Sequence, residues 1–130
     1  MRRLVIDVMD GEHTVSTLPP GSPIDPALLT DPGFVSITST PEEISIVSPS
    51  ALAPAGAEAE AGWRLLTVRG PLDFTLTGIM ASLAGAIAAA GVPLFAVSTF
   101  HTDHILVHAP DLERTVTALR EAGHEVHRPE

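Results

Sequence analysis

The chain has 130 residues, of which 45% are hydrophobic, with seven arginine or lysine residues, sixteen acids and no cysteine. This length suits one domain or two very small ones. The net charge of −9 argues against nucleic acid and against an anionic membrane surface as partners, because both are bound through clustered cations. The lack of cysteine excludes disulfides and thiol catalysis and fits a reducing cytoplasm.

The first half of the chain is predicted to form short strands separated by turns. Alternating apolar residues predict four strands, over residues 3–9, 13–18, 34–40 and 43–49. Residues 25–29 predict at most one helical turn, because Pro19, Pro20 and Pro23 occupy the stretch before them.

The second half predicts longer elements. Its four strands are expected over residues 63–70, 94–100, 104–109 and 124–128. A helix from Thr77 to Ala90 has an apolar face and stops at Gly91. A second helix begins near Asp111 and stops at Gly123. The resulting order, βαββαβ, is the ferredoxin-like pattern.

Residues 74–100 contain no charged side chain, and a run of this length could span a bilayer. The run is rich in alanine rather than leucine, and Gly91 and Pro93 interrupt it. We therefore predict a helix followed by a buried strand, and no membrane association.

The chain repeats itself at an offset of 61 residues. The matched pairs include Phe34 with Phe95, Thr38 with Thr99, and Glu42 with Asp103. Such self-similarity usually means that one supersecondary unit is used twice. We predict two subdomains packed side by side, residues 1–60 and 61–130, joined through the exposed segment "PAGAEAEAG". The first is degenerate, because prolines replace its long helix.

The stretch "PLDFTLTGIMASLAGAIAAAGVPLFAVSTFHTDHILV", followed by "DLERTVTALREAGH", resembles the tandem ACT-domain proteins related to the cytosolic arginine sensor of animal nutrient signalling. The "STPEEISIV" of the first half is also similar. The resemblance implies an α+β fold of two ferredoxin-like subdomains. It further implies a non-catalytic regulatory protein that binds an amino acid, needs no cofactor and associates as a homodimer.

The resemblance also implies where the ligand lies, near a helix N-terminus and the loop between two strands. The ligand residues carried over are Leu76, Thr77, Gly78, Ile79, Ser98, Thr99, Phe100, Thr102 and Asp103. The chemistry of these positions agrees, because unpaired amides at a helix N-terminus suit a carboxylate. Asp103 suits an ammonium group or a basic side chain. No particular amino acid is singled out.

The same residues also raise the possibilities of metal binding, catalysis and a purely structural role. His104 and His108 would lie about 13 Å apart along a strand, too far to bind one metal ion together. His101 and Asp103 are then too few for a metal site. No nucleophile, base and acid occur at a diagnostic spacing, so we expect no enzyme. Asp103 could instead cap a turn, and the chain could be an interaction module with a vestigial pocket.

Overall fold

The computed structural model describes residues 3–73 and 77–129 of the chain. These residues contain eight strands: β1 (Val5–Val8), β2 (His13–Leu18), β3 (Ser36–Ser39), β4 (Ile44–Pro49), β5 (Glu58–Val68), β6 (Phe95–Ser98), β7 (Asp103–His108) and β8 (Glu125–His127). Three helices accompany them: α1 (Ala27–Thr30), α2 (Ile79–Ala89) and α3 (Leu112–Glu121). Single 3-10 turns occur at Ser50–Leu52 and Ala109–Asp111.

The chain divides into two compact units, but not at residue 60. One unit is Gly11–Trp63, and the other combines Met1–Asp10 with Arg64–Glu130. Strand β1 joins the second unit because it pairs antiparallel with the end of β5 and parallel with β8. These pairings link residues far apart in sequence, so the expected division into 1–60 and 61–130 differs from the observed one.

The unit that contains residues 64–130 has the strand order β6-β7-β5-β1-β8. The βαββαβ order predicted for the second half is confirmed as β5-α2-β6-β7-α3-β8. Strand β1 adds a fifth strand between β5 and β8, so the last strand pairs with β1 and not with β5.

Helices α2 and α3 supply the apolar side chains that pack with one face of this sheet. Leu83 and Ile87 of α2 are buried, as are Leu112, Val116 and Leu119 of α3. They share a core with alternate residues of the strands: Leu4, Ile6, Val8, Leu66, Val68, Ile105, Val107 and Val126. The apolar stripes expected at helical spacing therefore form this core. Ile79 and Met80 are only partly buried at its edge.

The unit Gly11–Trp63 has the strand order β3-β4-β2-β5, with every neighbouring pair antiparallel. Its first strand is β2, since β1 belongs to the other unit. Helix α1 has four residues and the 3-10 turn has three. Proline lacks the N–H that continues a helix, and prolines flank both of these short turns. The expectation of a degenerate first copy is thus confirmed.

The two hairpins, β3–β4 and β6–β7, correspond at an offset of 59 residues rather than 61. In one turn the Thr40 N–H donates to the Glu43 carbonyl, and in the other the Thr99 N–H donates to the Thr102 carbonyl. Thr40 therefore corresponds to Thr99. The pairing of Glu42 with Asp103 was wrong, because a shift of two residues preserves the alternation of a strand and hides the error.

In the described part of the uncharged stretch α2 is followed by β6, so the predicted order of helix and then strand is confirmed. The expectation that this strand is buried was wrong, because β6 lies at the end of the strand order and its residues alternate between half-buried and exposed. None of the helices in the described part of the chain combines the length and apolar character needed to cross a bilayer. Gly91 has φ of +76° just after α2 and ends the helix.

His124 connects the two ends of the larger unit. Its ring is 4% exposed, and its Nδ1 accepts a hydrogen bond from the Leu4 N–H at 3.1 Å. Burial lowers the pKa of His124 from the ordinary value of 6.5. The pKa of the partly buried His104 is lowered for the same reason, against the opposing charge of Asp103. Both rings are therefore held neutral in the folded chain at neutral pH.

We predict that stability falls as pH drops below 6.5, because the unfolded chain binds protons that the folded chain resists. The contribution is fully present above that pH and is lost as pH falls toward the lowered pKa of the folded state. His124→Asn, whose amide oxygen can still accept from Leu4, should flatten this dependence, and the slope that remains belongs to His104. Urea denaturation between about pH 7.5 and about pH 5 measures it.

The exposed His101 provides the control. His101→Asn should leave the pH dependence of unfolding as it is in the wild type. Equal slopes for the wild type and His124→Asn would contradict a role for His124.

Candidate functional site

A cavity of about 320 Å³ lies in the larger unit, where α2 begins and the β6–β7 hairpin turns. Its walls come from the loop after β5, the first turn of α2 and the hairpin turn. The lining residues are Leu72, Asp73, Gly78, Ile79, Met80, Ser98, Thr99, Phe100, His101, Thr102 and Asp103. A volume of this size suits a small molecule such as a free amino acid.

Seven of the nine residues expected to contact a ligand line this cavity: Gly78, Ile79, Ser98, Thr99, Phe100, Thr102 and Asp103. Thr77 is exposed and is not part of the lining. Leu76 lies outside the described residues. Their contact with a ligand stays a prediction, but the structure brings the two sequence segments to one place.

The start of α2 lies at the cavity, because Gly78, Ile79 and Met80 line it. The helix begins at Ile79, two residues later than expected, and Gly78 is its N-cap residue with φ of +76°. The first N–H groups of a helix have no partner within it, and their partial positive charge attracts an anion. A Cβ on Gly78 would meet no atom within 4 Å, so glycine is required here for its backbone angle and not for close packing.

Asp103 faces the same side of the sheet as α2. It pairs with Ser98 across the hairpin, two residues from the Ala96–Ile105 pair, and Ile105 is buried in the helix-covered core. The Ser98 hydroxyl donates to Asp103 Oδ1 at 2.5 Å. This bond fixes the carboxylate while leaving it further lone pairs for a ligand.

Thr99, and not Asp103, closes the hairpin turn. The Thr99 Oγ1 donates to the Thr102 carbonyl at 3.1 Å, and the Thr102 N–H lies 3.4 Å from the same hydroxyl. The described hydrogen bonds therefore do not support the alternative in which Asp103 caps the turn. The expectation that Thr99 has its hydroxyl available for a ligand is weakened by the same bonds.

Two hydrogen bonds tie the hairpin turn to the chain that leaves β5. The Thr102 Oγ1 donates to the Val68 carbonyl at 2.6 Å, and the Leu72 N–H donates to the His101 carbonyl at 2.7 Å. Gly70 permits this approach, since a Cβ there would lie 3.0 Å from the His101 carbonyl oxygen. Two of the three walls, the loop after β5 and the hairpin turn, are thereby joined.

Four lining residues were not assigned to the site from sequence: Leu72, Asp73, Met80 and His101. Leu72 and Asp73 reach the cavity because β5 lies beside β7 in the sheet, and strand order is not readable from a local pattern. The only local signal was Gly70, a glycine directly after a strand, which often marks close backbone approach.

The histidines near the cavity lie in different surroundings. Within residues 3–73 and 77–129, no group of three histidine or acidic side chains is close enough to hold one metal ion. His104 points to the opposite side of the hairpin from Asp103, where its Nδ1 lies 2.9 Å from the Thr67 hydroxyl. His101 is exposed at the cavity rim, with its ring 5.1 Å from that of Phe100.

The cavity therefore combines an amide-lined, partly positive end with a fixed carboxylate. A small molecule that carries a carboxylate and a cation a few bonds apart would satisfy both.

Comparison with known proteins identifies the family of the chain. The family model described as ACT domain matches residues 58–121. The human protein named cytosolic arginine sensor for mTORC1 subunit 1 is 30% identical over 125 residues, which covers 89% of this chain and 37% of that protein. The chain thus spans little more than a third of the length of this relative.

Solved structures extend the similarity. A protein from Agobacterium tumefaciens is 35% identical, with a TM-score of 0.90, and the match covers 100% of this chain and 96% of that one. The ligand-free regulatory subunit of aspartate kinase from Thermus thermophilus has a TM-score of 0.65 at 13% identity, over 91% of this chain and 96% of that one, and so shares the fold alone. The chain belongs to the ACT-domain family.

Proposed function

We propose that this chain is a non-catalytic regulatory protein that binds a free amino acid in the cavity beside α2. One observation carries the proposal: the N-terminus of α2 and the carboxylate of Asp103 line a single cavity of about 320 Å³. Support for an amino-acid-sensing role comes from the ACT-domain match and from the arginine-sensor relatives.

In the proposed complex the ligand carboxylate accepts hydrogen bonds from the first amides of α2, near Gly78 and Ile79. The cationic end of the ligand meets Asp103, held in place by Ser98. Phe100, which is 71% exposed, covers the aliphatic stem of the ligand. Binding would bury this ring and so remove exposed apolar surface from water.

Arginine is the first candidate for the ligand. Two carboxylates, Asp73 and Asp103, line the cavity, and no arginine or lysine is among its described lining residues. An amino acid with a basic side chain offers two cations and one carboxylate, which suits this balance of charge. A guanidinium can also bind a carboxylate through two parallel hydrogen bonds. The relatives named as arginine sensors point in the same direction.

The two alternatives raised by the sequence, an interaction module and a metal-binding protein, predict different binding results. An interaction module with a vestigial pocket would bind no amino acid. A metal-binding protein would use His101 and Asp103 with ligands from elsewhere. We also propose a cytoplasmic location, in line with relatives that are named cytosolic.

The ligand proposal predicts a selective thermal shift. Among the common amino acids, arginine should raise the melting temperature most, with lysine next, because only the folded state binds the ligand. At a concentration one hundred times Kd the stabilisation would be about 2.7 kcal/mol. No shift with any amino acid supports the interaction module, and a shift only with Zn²⁺ or Ni²⁺ supports a metal site.

Asp103→Asn should lower affinity for the amino acid about ten- to a hundredfold, because hydrogen bonds to charged groups contribute roughly 1.5–3 kcal/mol. Ser98→Ala should lower it only a few-fold, since the carboxylate stays and loses a single neutral donor. Isothermal titration calorimetry with the amino acid that gives the largest thermal shift measures both.

Glu42→Gln is the matched control, because Glu42 is an exposed acid in the corresponding hairpin turn of the other unit. It changes the net charge by the same amount and should leave affinity unchanged. Equal affinities for wild type and Asp103→Asn would contradict the assigned role of Asp103.

We further predict that the chain forms a homodimer. In the larger unit β6 and β8 end the strand order, so each has one edge without a neighbouring strand in the described residues. Bare edges favour pairing with another chain. Light scattering at micromolar concentration should give twice the mass of 13.6 kDa, and a monomer mass would contradict the prediction.

A further inference from the structure

His124 is a buried histidine of the larger unit that has no assigned role in the proposed amino-acid site. Its ring is 4% exposed. The ring Nδ1 accepts a hydrogen bond from the Leu4 N–H at 3.1 Å, and the ring Nε2 lies 3.5 Å from the Ser82 hydroxyl oxygen. The ring therefore connects the chain that enters β1 with α2, the helix whose first residues line the cavity.

The contacts of the His124 ring determine its tautomer. Because Nδ1 accepts from the Leu4 N–H, Nδ1 carries no proton, and the proton of the neutral ring resides on Nε2. The Nε2–H can then donate to the Ser82 hydroxyl oxygen. The neutral ring thus satisfies both contacts at once.

Ser82 belongs to the first turn of α2. Its N–H donates to the carbonyl of Gly78 at 2.8 Å, and the carbonyl of the N-cap residue accepts the first hydrogen bond of a helix. Gly78, Ile79 and Met80, which precede Ser82 in this turn, line the cavity. The side chain that contacts His124 and the amides available to a ligand therefore belong to one helical turn, and a displacement of one moves the others.

A proton on Nδ1 of His124 would disrupt this arrangement. The new Nδ1–H would face the Leu4 N–H, and two donors cannot form a hydrogen bond, so a buried N–H and a buried charge would both lack compensation. A cation beside the first turn of a helix is also unfavourable, because that end of the helix carries partial positive charge. Protonation would therefore displace the ring from its place beside Ser82.

The charged side chains of the elements around His124 form contacts of their own or are exposed. Helix α2 contains no ionisable residue. Arg3 and Glu125, the charged neighbours of Leu4 and His124 in sequence, pair with each other at 2.9 Å. Burial is accordingly what lowers the pKa of His124 from 6.5. The remaining charged residues of β1, α3 and β8 are Asp7, paired with Arg69; Glu113, paired with Arg128; Arg114, paired with Asp111; Arg120, which donates to the Val126 carbonyl; His127, which contacts Glu125; and the exposed Glu121.

We propose that His124 makes binding at the amino-acid site dependent on pH, because its neutral ring holds the first turn of α2 in the form that binds the ligand. This inference rests on the proposed function of that site. As pH falls through the pKa of the ring, the fraction of chains in the binding form decreases, and the apparent affinity decreases with it. Because this pKa is lowered from 6.5, affinity is complete above that pH and is lost below it.

The test uses His101→Asn as the parent chain, because a charged imidazole at the cavity rim would repel a basic ligand directly. The first measurement needs no ligand. NMR titration from about pH 7 to about pH 5 should show the Ile79 and Met80 amides shifting with the same midpoint as the His124 ring. A ring that stays neutral over this range, or amides that do not follow its titration, would overturn the proposal.

The second measurement is calorimetric titration with arginine, whose charges stay constant over this range of pH. Affinity should fall at least about fivefold from about pH 7 to about pH 5. Adding His124→Asn, whose amide oxygen can still accept from Leu4, should make affinity nearly independent of pH. Adding His104→Asn instead is the matched control and should retain the dependence of the parent, since His104 contacts Thr67 on the other side of the hairpin.

Two results of the calorimetry would overturn the proposal. One is tighter binding at low pH, which would mean that a charged ring attracts the carboxylate of the ligand and leaves the helical turn in place. The other is the same pH dependence with and without His124. Absence of arginine binding at about pH 7 would instead contradict the proposed ligand, and the titration of the free chain would then decide whether His124 controls the first turn of α2.

Discussion

Two hydrogen bonds between the chain leaving β5 and the β6–β7 turn underlie the rest of the candidate site. Thr102 to Val68 and His101 to Leu72 connect the turn that leads to Asp103 with the loop that leads into α2. The second bond joins two main-chain groups, whereas the first needs the Thr102 hydroxyl as its donor. They hold the hairpin turn beside the chain that leaves β5 before any ligand arrives, and such preorganisation lowers the ordering cost of binding.

The two ends of the cavity differ in charge. The partial positive charge at the start of α2 and the negative charge of Asp103 lie at the same cavity. A zwitterionic ligand would meet both at once. The Thr99 hydroxyl donates to the Thr102 carbonyl, and the Thr102 hydroxyl donates to the Val68 carbonyl. His104 lies on the other side of the hairpin. This arrangement supports the proposed role in binding.

Individual helices and strands could be predicted from the sequence because the spacing of apolar residues within each segment indicates them. The spacing of Leu112, Val116 and Leu119 predicted α3, whereas most of the residues that line the cavity were expected from the family resemblance. The place of β1 could not be predicted, because its partners, β5 and β8, are remote in sequence. The repeat register failed for a different reason, since a period of two cannot distinguish an offset of 59 from one of 61. Leu72 and Asp73 were missed because their position depends on strand order.

The corrected register explains why the two units need not share a function. In the unit Gly11–Trp63, Ile44 occupies the place that Asp103 takes in the other hairpin, and it is 5% exposed within the core. The helix after β2 is a single turn, too short to present a sustained positive end. Both groups that would hold a zwitterion are thus absent from the corresponding positions described there. A cavity lined mainly by aliphatic residues lies in this unit instead, so the same topology presents different chemistry in its two copies.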